Sequence, residues 1–335
     1  MRKINDYLAN KEVEPLFIIG ESLDVLKKVP DCSIDCVIIS PPYFRLRNNE
    51  TAFDECQTVE EYVRLLLKYT KHVKRILKKE GSFWLNLGDV YINKCLALVP
   101  SFVASKMINA QKWILRNDII WDKTSSLPTS SRNRLSNSYE HLFHFVKKDN
   151  YYYYLGFLKS KRKKPILVNR KVISASGVSG INYKRKISAS NFLSPQEKEN
   201  ANESLRKHID MIHNGEIADY RLFLRGDPKL INANRNDELQ TNGFFFITYS
   251  DPKPRDIWSI VPDKGNIHHS SFPEELCSFP ILATCPIKGV VLDFFCGSGT
   301  SNVVAYRNHR KSIGIDIKSD FIKIAEERIK NVKNL

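Results

Sequence analysis

The sequence predicts an α/β protein built on a largely parallel sheet, and three observations carry that expectation. Short apolar runs alternate with amphipathic stretches through the first 148 residues. The last third returns to the same alternation and holds a strand, a glycine-rich turn and a helix in succession. Finally, the apolar run Cys36–Ile39 halts at Ser40, Pro41, Pro42 and Tyr43. Proline fixes φ and donates no hydrogen bond, so the chain is stiffened at a strand's carboxyl end, where open α/β sheets bind ligands.

Taken in order, Leu16–Gly20 and Ile34–Ser40 read as buried parallel strands, with a short helical stretch over Ser22–Val29 between them. Thr58 and Glu61 stand at capping-box spacing ahead of Val63, Leu66, Leu67, Val73 and Leu77, which recur at helical intervals until Gly81 is expected to stop the helix. Ser82–Asp89 reads as the next strand, and Arg116–Lys123 and Tyr139–Lys148 as two antiparallel edge strands. Composition then changes. No acidic residue occurs from Asn150 to Gln196, while ten Lys and Arg fall between Lys159 and Lys186. With no sustained hydrophobic period, 149–250 is expected to be one inserted, weakly ordered basic module, although a charge run is also what any solvated face shows. Ser271 and Glu274 then stand at capping-box spacing before another helix.

The 335 residues, 42% of them hydrophobic, suffice for a full core, and the formal charge of +15 favours a polyanionic partner, nucleic acid first. Seven scattered cysteines lack the spacing of zinc sites or disulfide frameworks, which predicts no metal and reduced thiols. Without a signal-like or membrane-spanning apolar run, the expected location is the cytoplasm.

The chemistry is concentrated in two motifs. In "VLDFFCGSGT", strand residues lead to Asp293, the turn carries Gly297 and Gly299, and a helix opens at Thr300 with its backbone amides facing the strand end. Asp316, 23 residues after Asp293, ends the next strand, placed to accept the hydroxyls of a ribose. A lone G-x-G also occurs in ordinary turns; the strand, helix and acidic residue in register point to a nucleoside-bearing cofactor. Asn302 stands where a dinucleotide fingerprint has a third glycine, and no phosphate loop is present. Asp293 would repel a pyrophosphate but welcome a cationic sulfonium. S-adenosyl-L-methionine fits that combination.

Together "ISPPY" and "DFFCGSGT" resemble the amino-methylating DNA methyltransferases of restriction–modification systems, and the order of the two motifs resembles their beta class. The likeness extends through "GSFWLNLGD", "IWDKTSSLPTSSRNR", "YEHLFHF" and "IWSIVPDKGNIHHSSFPEEL". It implies a circularly permuted methyltransferase fold, a mostly parallel seven-stranded sheet flanked by helices. The catalytic half would be 1–148, the target-recognition region 149–250 and the cofactor half 251–335. It also implies roles. Ser40 Oγ and the Pro41 carbonyl, stiffened by Pro42, would accept protons from a poorly nucleophilic exocyclic amine. Tyr43 would stack on the flipped base, its ring doing the work so that phenylalanine could replace it. Asp293, Phe295, Cys296, Gly297, Ser298, Gly299, Thr300, Asp316, Glu21, Ser22, Phe272 and His269 would hold the cofactor. In the insertion, Lys161, Arg162, Lys163, Lys164, Arg170, Lys171, Lys184, Arg185 and Lys186 would meet double-stranded DNA. A cognate restriction endonuclease acting at the same site is the other expected partner.

Three departures from the family pattern stand out: Phe294, Ser301 and Glu21 replace the usual proline, threonine and aspartate. In that family a serine at position 40 accompanies N4-cytosine methylation more than N6-adenine methylation, so the expected product is N4-methylcytosine. The N6-adenine enzyme, an RNA or small-molecule methyltransferase, and a non-catalytic DNA-binding protein with a degenerate cofactor pocket are the competing readings. A cytosine C5 enzyme is disfavoured because Cys285 precedes Pro286 instead of following a proline.

Overall fold

The computed structural model describes residues 2–45, 51–124, 133–157, 166–168, 171–173, 180–214, 216–217, 219–227, 237–249, 254–262 and 272–333. They form two compact units, one of 1–157 with 255–335 and one of 158–254. In the first unit the chain runs α1 (Arg2–Ala9), β1 (Leu16–Ile19), α2 (Ser22–Leu26), β2 (Ile34–Ile39), α3 (Val59–Ile76) and β3 (Leu77–Leu87). A small hairpin, β4 (Tyr91–Ile92) and β5 (Cys95–Leu96), precedes α4 (Val99–Gln111), β6 (Ile114–Asp122) and β7 (Tyr139–Val146). The second unit holds β8 (Ile166–Val168), β9 (Lys171–Ile173), α5 (Gly180–Ala189), α6 (Pro195–His213), β10 (Asp219–Leu224), α7 (Asp237–Asn242) and β11 (Phe244–Tyr249). The chain returns to the first unit through β12 (Ile257–Ser259), α8 (Glu274–Thr284), β13 (Val290–Asp293), α9 (Thr300–Arg307), β14 (Lys311–Asp316) and α10 (Ser319–Lys333).

Among the described residues the main sheet has eight strands rather than seven, in the order β1-β14-β13-β2-β3-β7-β6-β12. Only β7 runs against its neighbours; the short β12 adds a parallel edge beside β6. β2 is buried along its whole length, as a strand covered on both faces must be, whereas β1 is a sheet edge whose Ile19 is exposed. Two apolar clusters fill the faces. One gathers Leu26, Val37, Ile39, Leu66, Val73, Phe83, Leu292 and Ile313; the other gathers Cys36, Ile38, Trp84, Phe272, Leu276, Ile281 and Val291. His144, fully buried, stacks on Trp84 at 4.0 Å and shares a hydrogen bond with Ser82; burial pushes its pKa down to about 3, so it is a neutral core residue.

The Thr58–Glu61 capping box forms as expected. The helix it opens stops earlier than Gly81, at Ile76, because Leu77 turns extended and pairs with Ile34 as the first residue of β3. Gly81 instead lies within that strand, where a Cβ would meet the Asp35 carbonyl at 2.8 Å. At α8 the N-cap is Pro273, without a side-chain cap, while Ser271 lies outside the described residues. The insertion corrects a larger expectation. It has its own core of Ile187, Leu193, Ala201, Leu205, Ile212, Tyr220, Leu222 and Leu224, and α6 opens on a full capping box between Ser194 and Glu197. Ala201, Leu205 and Ile212 recur at helical spacing, a narrow stripe diluted by long polar stretches. Among the described residues no helix is long and apolar enough to cross a membrane.

Asp35 ties the two halves of the first unit together. It is buried, Oδ2 accepts the Val290 amide at 2.8 Å, and Lys78 Nζ donates to both oxygens at 2.9 Å. Asp35→Ala should strand the Val290 amide and destabilise the protein by about 1–3 kcal/mol; a urea midpoint equal to wild type would show that the bond contributes nothing.

Candidate active site

Because β7 alone is reversed, its amino end lies at the same sheet edge as the carboxyl ends of the other strands. That edge therefore collects, in strand order, Glu21 after β1, Asp316, Asp293 with its turn, Ser40–Tyr43, Asn86, Glu140 and Lys123.

The glycine turn is built for close approach. Gly297 and Gly299 take φ of 50° and 74°, in the left-handed region, and Gly299 caps α9 with no room for a Cβ, which would lie 2.7 Å from Ala325. Asp316 locks the turn through Oδ2, which accepts the Gly297 amide at 2.9 Å, while Oδ1 accepts from Lys318. Asp293 is fully buried: Ser301 Oγ donates to it at 2.6 Å and the Phe295 amide at 3.1 Å. The Ser301 hydroxyl thus anchors the Asp293 side chain. Burial pushes the Asp293 carboxyl up to about 7, against those two hydrogen bonds and with a further upward push from Asp316. The Cys296 thiol is likewise held well above its usual range by burial, then by Asp293 and Asp316, so it is no nucleophile.

Other predicted cofactor residues are held by neighbours within the protein. Ser298 and Thr300 hydroxyls both accept from Arg328, at 3.2 and 2.9 Å, and Arg328 is itself paired with Glu274 at 3.0 Å. Glu21 caps α2 by accepting the Asp24 amide and also accepts from Tyr69 at 2.7 Å; Ser22 donates to the Phe294 carbonyl at 2.5 Å. Phe295 joins a ring cluster with Phe53, Tyr69 and Phe294, and Phe272 lies in the second core cluster. His269 lies outside the described residues. Ile317, exposed directly after Asp316, is an apolar neighbour the sequence reading passed over. The missing third glycine has a counterpart on the strand: a Cβ at Gly314 would meet the Phe17 ring at 2.7 Å and the Asn302 side chain at 2.9 Å, so Gly314 makes room for both β1 and α9.

At the proline turn, Tyr62 donates to the Pro42 carbonyl at 3.0 Å. Ser40 Oγ lies 3.0 Å from Tyr43 Oη, which donates to Glu140 Oε2 at 2.7 Å. Asn86 Nδ2 donates to Tyr43 Oη at 2.5 Å and to Glu140 Oε2 at 2.6 Å, and Lys123 pairs with Glu140 Oε1. Burial and the Glu140 charge hold the Tyr43 phenol well above its ordinary range, so it stays protonated. Gly88 completes the seat, since a Cβ there would lie 2.9 Å from the Tyr43 ring. The Tyr43 hydroxyl is thus bonded into a cluster that the sequence reading did not include, with Asn86 from β3, Glu140 from β7 and Lys123 just after β6.

In the second unit, Lys184 and Arg185 are exposed on α5, whereas Lys186 pairs with Asp227 at 2.5 Å and serves the unit's own fold. Lys171 lies in β9; Lys161, Arg162, Lys163, Lys164 and Arg170 fall outside the described residues. Among the described residues no group of His, Cys, Asp and Glu could hold a metal ion.

A mostly parallel sheet with a glycine turn, an acidic strand end and an S-P-P-Y turn on one edge defines the α/β class of methyltransferase folds. Comparison narrows this: residues 34–327 match the N6/N4 DNA methylase family, and the chain belongs to it. It is similar to the type II methyltransferase M.SfiI of Streptomyces fimbriatus, 27% identical across 91% of this chain and 88% of that one. M.XycI of Xanthomonas campestris pv. cyanopsidis is 30% identical across 92% and 86%. In fold it is similar to the cytosine-N4-specific PvuII DNA methyltransferase, with a TM-score of 0.58, 19% identity and coverage of 94% and 86%. It also resembles a putative DNA modification methylase of Thermus thermophilus in complex with S-adenosyl-L-methionine, with a TM-score of 0.53, 18% identity and coverage of 95% of each chain.

The raised Asp293 carboxyl has a consequence for stability. A carboxyl that binds its proton more tightly when folded contributes stability that is full below its ordinary value of 3.8 and lost as pH rises to about 7. Asp293→Asn should flatten the urea midpoint between those pH values in the absence of cofactor; an unchanged slope would assign the pH dependence elsewhere.

Proposed function

We propose that this chain transfers a methyl group from S-adenosyl-L-methionine to the exocyclic N4 amine of cytosine in duplex DNA, as the modification enzyme of a type II restriction–modification system. The observation that carries the reading is the neutral acceptor Ser40 at the end of β2, one strand from the Asp293 turn, within a chain of the N6/N4 DNA methylase family. Likeness to a cytosine-N4-specific enzyme supports the choice of base.

The cofactor would sit over the Gly297–Thr300 turn, with Asp316 toward its ribose, Ile317 beside its purine and its sulfonium near the buried Asp293. When bound it supplies an electrophilic methyl group. The chain's own residues do the rest: Ser40 Oγ and the Pro41 carbonyl draw the amine's protons, favouring a pyramidal nitrogen with a free lone pair, while the proline turn keeps both acceptors in place. The raised Asp293 carboxyl is primed for a cation, whose arrival would favour ionisation. The Tyr43 ring would stack on the extruded base. The inserted unit would read DNA through its basic residues, with Lys184 and Arg185 among the phosphate contacts.

Mass-spectrometric analysis of nucleosides from a host expressing the chain should show N4-methylcytosine; N6-methyladenine alone would overturn the choice of base. Ser40→Ala should lower single-turnover methyl transfer roughly 10- to 1000-fold with cofactor affinity little changed. Wild-type rates would make the turn architectural. Replacing Lys184 and Arg185 with Ala should reduce the salt slope of DNA binding by about 2, one unit per lost phosphate contact; an unchanged slope would leave both as solvated surface.

A further inference from the structure

We infer that Glu140 is a positioning residue that fixes the direction of the hydrogen bonds around Tyr43, so that Ser40 Oγ faces the target amine solely as an acceptor. The inference rests on the methyl-transfer reading above and deepens it. A serine hydroxyl can donate as well as accept, and a proton turned toward the amine would oppose N–H with O–H. Something must hold that proton away.

The structure supplies a chain that does so. Glu140 is buried and paired with Lys123 through Oε1, leaving Oε2 to accept from Tyr43 at 2.7 Å and from Asn86 Nδ2 at 2.6 Å. A carboxylate has no proton to give, so the single phenolic proton of Tyr43 is committed to it. Tyr43 Oη is then an acceptor toward its other neighbours. Asn86 Nδ2 gives it one hydrogen bond, and Ser40 Oγ, at 3.0 Å, can meet it only by donating. The serine proton is thereby spent inside the protein. Asn86 lies 3.5 Å from Ser40 Oγ, at the limit of hydrogen bonding, and adds little. The lone pairs of Ser40 Oγ remain for an N–H arriving from outside.

A merely structural brace would need the shape of this cluster but not its polarity, and Glu140→Gln separates the two. Lys123 would hold the amide oxygen, so the amide NH2 would face Tyr43 and Asn86 where the carboxylate accepts from both; the Tyr43 proton would lose the acceptor that commits it, and the serine proton would no longer be held inward. The expected result is a kcat lowered roughly 10- to 100-fold, with KM for DNA, S-adenosyl-L-methionine affinity and thermal midpoint close to wild type. A second readout follows polarity directly. In a duplex carrying uracil at the target position, an acceptor oxygen replaces the amine, so Glu140→Gln should bind this duplex severalfold better, relative to the cytosine duplex, than wild type does. Tyr43→Phe keeps the ring but removes the acceptor for the serine proton, and should lose kcat to a similar extent.

Wild-type kcat with an unchanged uracil-to-cytosine affinity ratio in Glu140→Gln would overturn the inference, as would lost thermal stability with that ratio unchanged. Should Glu140→Gln fail to fold, full activity in Tyr43→Phe would overturn it equally. Ser40→Ala separates the two levels: if it is inactive while Glu140→Gln is fully active, the relay is wrong and the methyl-transfer reading stands. If Ser40→Ala turns over at the wild-type rate, the relay falls and the turn is architectural while methyl transfer stands; if the wild-type chain methylates no DNA, the methyl-transfer reading falls and the relay with it.

Discussion

The pairing of β2 with β13 is the constraint on which the rest of the molecule depends. Val291 sits opposite Cys36 and Leu292 opposite Val37, joining segments about 255 residues apart in sequence and setting the S-P-P-Y turn beside the glycine turn. Around this seam the Asp35–Val290 bond and the Ser22–Phe294 bond close both ends, and Thr284 Oγ1 lies 3.5 Å from Cys36 Sγ. Bringing such distant segments together is entropically tolerable, because the cost of loop closure rises by only about 0.6 kcal/mol for each doubling of length. A long insertion between the two halves is therefore compatible with the fold, provided it buries its own apolar surface. The core around Leu205 and Tyr220 does so.

The sheet edge also explains why the polar groups can be concentrated there. Ladder bonds in the strands satisfy the backbone, and the side chains left at the edge bond within the protein: Asp316 with Gly297, Arg328 with Ser298 and Thr300, Glu140 with Lys123, Tyr43 and Asn86, with the buried Asn86 Oδ1 alone of this group lacking a partner. A buried polar cluster is costly when half-satisfied and rigid when complete. That rigidity is what a site working by preorganised acceptors requires, since nothing has to reorient as charge develops.

Local signals were the legible ones. The Thr58 cap, the proline stop after Ile39, and the left-handed Gly297 and Gly299 all follow from one residue's conformational limits and could be read without a partner. What escaped depends on partners far away. Leu77 has a helical period, yet its pairing with Ile34 draws it into a strand. Nothing near Ser298 and Thr300 in the sequence announces Arg328, 28 residues beyond Thr300, which donates to both hydroxyls. Glu140 sits in "YEHLFHF" as one polar residue of an alternating strand; only the antiparallel register of β7 brings it to Tyr43. The α6 helix was legible in principle, through Ser194 and Glu197, but its apolar stripe is too narrow to stand out from the polar background.

The same cluster bears on why position 40 is a serine and not an acid. Tyr43 Oη stands between Ser40 and Glu140, 3.0 Å from one and 2.7 Å from the other, and it has a single proton to give. An aspartate at position 40 would compete with Glu140 for that proton. It would also set two carboxylates roughly 5–6 Å apart, a repulsion of about 3 kcal/mol at an effective dielectric constant near 20. Relief would come only by protonating one of them or by turning one carboxylate away from the Tyr43 hydroxyl. A hydroxyl avoids both, because it can donate inward and still accept outward. Ser40 at the end of β2 and the buried carboxylate contributed by β7 are thus linked through one phenol, and an acid at position 40 would call for a matching change at position 140.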